Sequence, residues 1–92
     1  LKPSYLFLEQ IENLGHKAKR ILGDKVQLLK INPFRNKRIE DLFLFRIRLE
    51  DRRREKRVVY LVDKPYVKLL CILDRKKGYK DLQQYLERLG YK

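Results

Sequence analysis

The sequence contains no methionine, no threonine, one serine, one histidine and one cysteine. Each shortage removes a chemistry. Ser4 alone cannot supply a serine triad. His16 and Cys71 together fall short of a zinc site, so no metal is implied. A lone cysteine forms no internal disulfide, and nothing points to an oxidising compartment. No glycine-rich phosphate loop is present, and the carboxylates recur in no pattern that suggests a metal or glycosidase pair. Apolar runs reach only four or five residues, too short for a membrane-spanning helix. No signal-peptide pattern is visible. The missing initiator Met is what a chain whose native start lies upstream of Leu1 would show. Few Asn and Gln, no Thr, and abundant Lys, Arg and Glu hint at a thermophilic source.

Positive charge is what the chain has in excess. Its 92 residues make one domain, 1–92, near the lower limit for folding without disulfides or metal. Charged residues are 39% of the chain, against about 25% in an ordinary domain. Twenty-four Lys and Arg face twelve Asp and Glu, a net charge of +12. Such self-repulsion stabilises nothing. A polyanionic partner explains it best, nucleic acid or a ribonucleoprotein. An acidic protein partner and a plain solubility charge are the alternatives. A membrane surface would need an amphipathic anchor as well.

The hydrophobic pattern predicts an α+β fold. Pro3 suits a first helical turn and Ser4 a cap. Phe7, Leu8, Ile11 and Leu14 repeat at helical spacing, and Gly15 ends that helix. A second helix over about 17–30 carries Ala18, Ile21, Leu22, Val26 and Leu29. Gly23 weakens it by roughly 1 kcal/mol, and Asn32-Pro33 stops it. The short link predicts an antiparallel helix hairpin. Residues 44–50 alternate strictly: Phe45, Ile47 and Leu49 face one way, and Leu44, Arg46, Arg48 and Glu50 the other. That is a half-buried strand with a basic outer face. A second strand over 57–62 and a third over 66–74, apolar on both faces, complete an antiparallel meander. Cys71 lies in the third as a buried structural thiol. A short helix over 81–89 carries Leu82, Tyr85, Leu86 and Leu89, with Gly90 as its stop. The whole is an antiparallel helix hairpin packed on an antiparallel three- to four-stranded sheet, closed by a short C-terminal helix.

The candidate functional residues are cations and a tyrosine. Arg46 and Arg48 project from one face of the first strand, and Arg57 opens the second. Arg75, Lys76 and Lys77 follow the third, with Tyr79 just after. In a meander these converge on a basic concave surface able to hold a phosphate, with a ring able to stack on a base. The charged segment 51–56 reads either as a solvated hairpin tip or as a phosphate-contacting finger of Arg52, Arg53, Arg54 and Lys56. His16 reads as a capping or simply exposed residue.

In order and spacing these stretches resemble the RelE/ParE toxin superfamily of toxin–antitoxin modules. The likeness is carried by Leu29-Lys30-Ile31-Asn32-Pro33-Phe34, Phe45-Arg46-Ile47-Arg48-Leu49, Arg57-Val58-Val59-Tyr60-Leu61-Val62 and Ile72-Leu73-Asp74-Arg75-Lys76-Lys77-Gly78-Tyr79. The resemblance implies a cytoplasmic, ribosome-dependent messenger-RNA endoribonuclease. In it a 2′-hydroxyl attacks the adjacent phosphate and leaves a 2′,3′-cyclic phosphate, with no cofactor. It implies catalytic roles for Arg46, Arg48, Arg57, Arg75 and Tyr79: Arg57 on the phosphorane, Arg75 at the leaving group, Tyr79 stacking a base. Arg52, Arg53, Arg54, Lys56, Lys76 and Lys77 would contact RNA. The implied partners are the ribosome, messenger RNA and a cognate antitoxin, with room for a heterotetramer, and no membrane. Three departures stand out. The family's lysines are replaced by Arg46 and Arg48, which cannot act as bases, leaving Glu50, Lys56 or Lys77 as substitutes. No His lies in this half to match relatives that use a His-Glu arrangement. The hairpin between Leu49 and Arg57 looks about two residues longer than the family norm. The family's first strand has little room before Ser4, so it is clipped or lies upstream. A ParE-like gyrase inhibitor and a non-catalytic RNA- or ribosome-binding protein on the same scaffold are the competing readings.

Overall fold

Residues that alternate between apolar and polar build the centre of the molecule. The structure, a computed structural model, describes residues 1–39, 44–77 and 79–91; Gly78 lies outside them. In chain order the elements are β1 (Lys2–Pro3), α1 (Tyr5–Glu12), α2 (His16–Leu29), β2 (Lys37–Ile39) and β3 (Leu44–Asp51). Then come β4 (Arg54–Asp63), β5 (Tyr66–Asp74), a 3-10 turn at Arg75–Lys77, and α3 (Leu82–Arg88). The sheet order is β1-β5-β4-β3-β2. Strands β3, β4 and β5 form the expected antiparallel meander. The sheet as a whole is five-stranded and mixed, because β1 runs parallel to β5. No helix among the described residues is long and apolar enough to cross a membrane.

Several local expectations are corrected by contacts distant in sequence. Pro3 is in strand β1, opposite Leu69, and not in a helical turn. An edge strand tolerates a residue with no N–H. The strand before the first helix is therefore present, two residues long. Ser4 does cap α1: its Oγ accepts from the Phe7 amide at 3.0 Å and donates to the Leu70 carbonyl. Leu8 is exposed, and Leu6 is buried in its place. Leu6 follows β1 at the sheet edge and packs with Leu70 and Cys71. Gly15 does not end α1 but precedes α2 as its cap residue. Its amide donates to Asp51 Oδ1 at 3.1 Å, and a Cβ there would lie 3.1 Å from the same oxygen. Helix α2 runs unbroken through Gly23.

The charged 51–56 segment is mostly strand. Asp51 pairs with Arg54, so only Arg52 and Arg53 form the tip. Both have left-handed backbones, φ 51° and 67°. That is the geometry of a two-residue hairpin turn whose twist matches the strands.

Each face of the sheet carries its own core. On one face α2 lies over β3 and α1 over β5. There Phe45, Ile47, Leu49, Val58, Tyr60 and Leu69 meet Phe7, Leu14, Ala18, Leu22, Val26 and Leu29. Leu29 is 1% exposed, and truncating such a side chain to Ala costs about 2–5 kcal/mol. On the other face Leu44, Val59, Leu70, Cys71 and Leu73 are covered by Leu82 and Leu86 of α3. The outer face of β3 is thus not wholly basic, since Leu44 belongs to this second core. Burial pushes the Cys71 thiol up to about 12, which fits an inert structural role. Helix α3 ends as expected: Gly90 has φ +84°, and the Tyr91 amide donates back to the Leu86 carbonyl at 2.8 Å.

Candidate functional site

Where α3 leaves the second face uncovered, charge replaces apolar surface. The register sets Arg48 directly opposite Arg57, and Glu50 opposite Glu55. Like charges facing each other across strands are unfavourable. The side chains resolve this diagonally. Arg48 Nε lies 3.2 Å from one Glu55 oxygen, and Arg75 Nη1 lies 2.8 Å from the other. Glu55 is thereby a bridge between two strand ends, with its side chain 24% exposed. Ion pairs to arginines this exposed contribute roughly 0–1 kcal/mol to stability. Their effect is on position: two guanidinium groups are aimed at one point.

Tyr79 gathers the remaining pair. Arg46 donates to the Tyr79 hydroxyl at 3.1 Å. The Arg57 guanidinium stands over the Tyr79 ring, 5.2 Å from its centre. Arg57 Nε is buried and has no partner among the described residues. A buried donor without an acceptor costs about 1–3 kcal/mol. All five expected residues thus stand on one sheet face in two adjoining sets, Arg48 and Arg75 on Glu55, and Arg46 and Arg57 on Tyr79, which meet where Arg48 lies opposite Arg57. Glu55, which is not among the expected residues, joins Arg48 to Arg75. The signal was available: Glu55 is two residues before Arg57 and so shares its face.

The other cations are elsewhere. Lys56 points to the helical side of the sheet, 4.0 Å from the buried Asp51. It cannot serve as a base in the cluster. Lys77 lies 3.7 Å from Asp81, four residues on, and the Lys76 amide donates to Asp74 at 3.0 Å. Both side chains are exposed beside the cluster rather than within it. Arg52, Arg53 and Arg54 are exposed at and beside the hairpin tip. Glu50 is exposed on the cluster's face, beyond Arg48. His16 is exposed at the first position of α2.

Such an arrangement can hold an anion between Arg48 and Arg75, stabilise growing negative charge with Arg57, and accept a proton on Glu55. Comparison of the chain with protein-family models, with curated proteins and with solved structures finds no match.

Proposed function

We propose that the chain is a RelE-like toxin of a toxin–antitoxin module, a ribosome-dependent messenger-RNA endoribonuclease. The observation that carries this reading is the convergence of four arginines, Tyr79 and Glu55 on one sheet face. The parallel strand β1 ahead of α1 supports the family resemblance, because that fold begins with a strand.

In this reading the substrate phosphate enters between Arg48 and Arg75 and takes over their bonds to Glu55. The released carboxylate accepts the proton of the neighbouring 2′-hydroxyl. The 2′-oxygen attacks phosphorus, Arg57 stabilises the phosphorane, and the bond to the 5′-oxygen breaks. Arg75 steadies the departing oxygen, which takes a proton from solvent. The products are a 2′,3′-cyclic phosphate and a 5′-hydroxyl. Tyr79, half-buried against the second core with the Arg57 guanidinium over its ring, is the aromatic side chain a base would meet. An arginine-rich site lacks a neutral amine, so Glu55 supplies the base that Arg46 and Arg48 cannot.

The antitoxin belongs to the same proposal. Helix α3 holds the second core with only two fully buried residues, Leu82 and Leu86. A partner helix of like pattern could displace it, and exchange of its amides would then change on complex formation.

The test is a cell-free translation reaction. Wild-type protein shortens message and leaves cyclic-phosphate ends. Arg57→Ala lowers the cleavage rate at least about tenfold while the fold persists, since one charge-stabilising contact is worth roughly 1.4 kcal/mol or more. Gyrase inhibition without message cleavage, or full cleavage by the folded variant, overturns the assignment.

A further inference from the structure

The open edge of β3 carries a second cationic region. Strand β2 covers β3 only as far as Arg46, which pairs with Lys37. Beyond that point Lys25 of α2 reaches across and donates to the Arg48 carbonyl at 2.6 Å. Between them lies a cavity of about 430 Å³ walled by Lys25, Arg35, Lys37, Arg46 and Arg48. Among the described residues no carboxylate and no aromatic ring lines it. The side chains of Arg35 and Lys37 form no ion pair or hydrogen bond among the described residues.

The wall that carries these cations is fixed. Tyr60 donates to the Pro33 carbonyl at 2.7 Å and accepts from Asn36 at 3.2 Å. Asn32 accepts from the Phe34 amide at 3.1 Å, and the Phe34 ring meets Phe45 edge-on, centres 5.7 Å apart. The segment from α2 to β2 is thus held on the sheet from both sides of Arg35. A neighbouring cavity of about 350 Å³ shares Lys25 and Arg48 and extends to Glu50, Arg53 and Glu55. The two cavities make a path along the β3 edge from Arg35 and Lys37 to the Glu55 cluster.

Resting on the reading of the chain as RNA-directed, we propose that this edge groove binds the phosphodiester backbone of single-stranded RNA flanking the reacting nucleotide. Arg48 already has Glu55 as its counter-charge, but Arg35 and Lys37 meet none among the described residues, so the groove keeps a positive field that an anion relieves. Arg46 and Arg48 are two strand positions, about 7 Å, apart, close to the separation of neighbouring phosphates in an extended strand. With no ring for stacking, the groove grips phosphate and reads no base. An acidic polypeptide would satisfy the charge but would not need a path to Glu55.

The test compares wild type with Arg35→Ala/Lys37→Ala, two exposed positions whose loss leaves thermal unfolding unchanged. Binding of a fluorescent single-stranded RNA of about ten nucleotides is measured over a range of salt. We expect the double variant to bind about tenfold more weakly at low salt. The slope of log affinity against log salt should fall by about 1.4, two phosphate contacts at about 0.7 each. The loss should be independent of base sequence and should vanish for a dinucleotide. An unchanged slope, with wild-type RNA binding intact, overturns the groove while the RNA reading stands. If wild type binds polyglutamate and not RNA, and the double variant loses that binding, both are overturned.

Discussion

The Glu55 cluster and the edge groove are built from the same residue types and share Arg46 and Arg48, yet they are organised oppositely. In the cluster every guanidinium meets an acceptor or a ring: Glu55 for Arg48 and Arg75, Tyr79 for Arg46 and Arg57. In the groove Arg35 and Lys37 meet neither an acid nor a ring among the described residues. Internal partners lower the net field but fix direction, which suits a site where charge must be placed to within a fraction of an ångström. Missing partners leave the field at full strength, which suits a surface that must attract and hold a flexible polyanion. Charge alone does not distinguish the two; the position of one carboxylate does.

The largest expected effect comes from removing that carboxylate's charge. Glu55→Gln keeps the shape and the acceptor oxygen. Cleavage should fall at least about a hundredfold, the lower end for loss of a general base, while RNA binds more tightly because one negative charge is gone. Opposite signs for rate and affinity are the signature. If both improve, Glu55 is only a counter-ion and the contrast between the regions collapses.

A smaller effect is expected at the hairpin tip. Arg52→Asn with Arg53→Gly suits the left-handed turn and should raise stability by about 1 kcal/mol in chemical denaturation. If the tip is a third phosphate contact, RNA affinity falls by a few fold, and the salt slope falls with it. Unchanged binding would assign the two arginines to a solvated turn and leave the groove as the only gripping surface tested.

The smallest is a control on the helical face. A Cβ at Gly23 meets nothing within 4 Å, so Gly23→Ala should add up to about 1 kcal/mol of helix stability. Neither RNA cleavage nor its salt dependence should move. A change in either would mean that α2 bears on the two cationic regions through more than Lys25.

Much of this was legible where a period of two or 3.6 runs long enough to repeat. Phe45, Ile47 and Leu49 declared β3, and Ala18, Leu22, Val26 and Leu29 declared the inner stripe of α2. Strand β1 was not legible, since Lys2–Pro3 is too short to carry any period. Nor was the role of Gly15, which depends on Asp51, 36 residues away. Arg54, Glu55 and Lys56 have the pattern of a loop, because a run of charge looks like a turn. Strand pairing extends through them, and only then does Glu55 come to stand between Arg48 and Arg75. Arg46 and Arg48 were foreseeable from alternation, and Arg57, Arg75 and Tyr79 from their places at strand ends; the two-residue spacing of Glu55 and Arg57 gains its meaning once strand pairing is carried through Glu55. The groove was hidden for another reason: it is made by β2 stopping short, and a strand's end leaves no mark on its neighbour's sequence.

The bond from the Gly15 amide to Asp51 has a mechanical consequence. Pairing of β4 with β5 ends at Lys56, so the β3–β4 ribbon beyond it would twist freely about its base and carry Glu55 away from Arg48 and Arg75. Asp51 sits one residue before the tip and is tied to the joint between α1 and α2 at 3.1 Å, with Lys56 on its other oxygen. The ribbon is therefore a braced cantilever, stiffened near its free end by the helical layer. The brace holds the alignment of Glu55 with Arg48 and Arg75 from the face opposite the one they occupy.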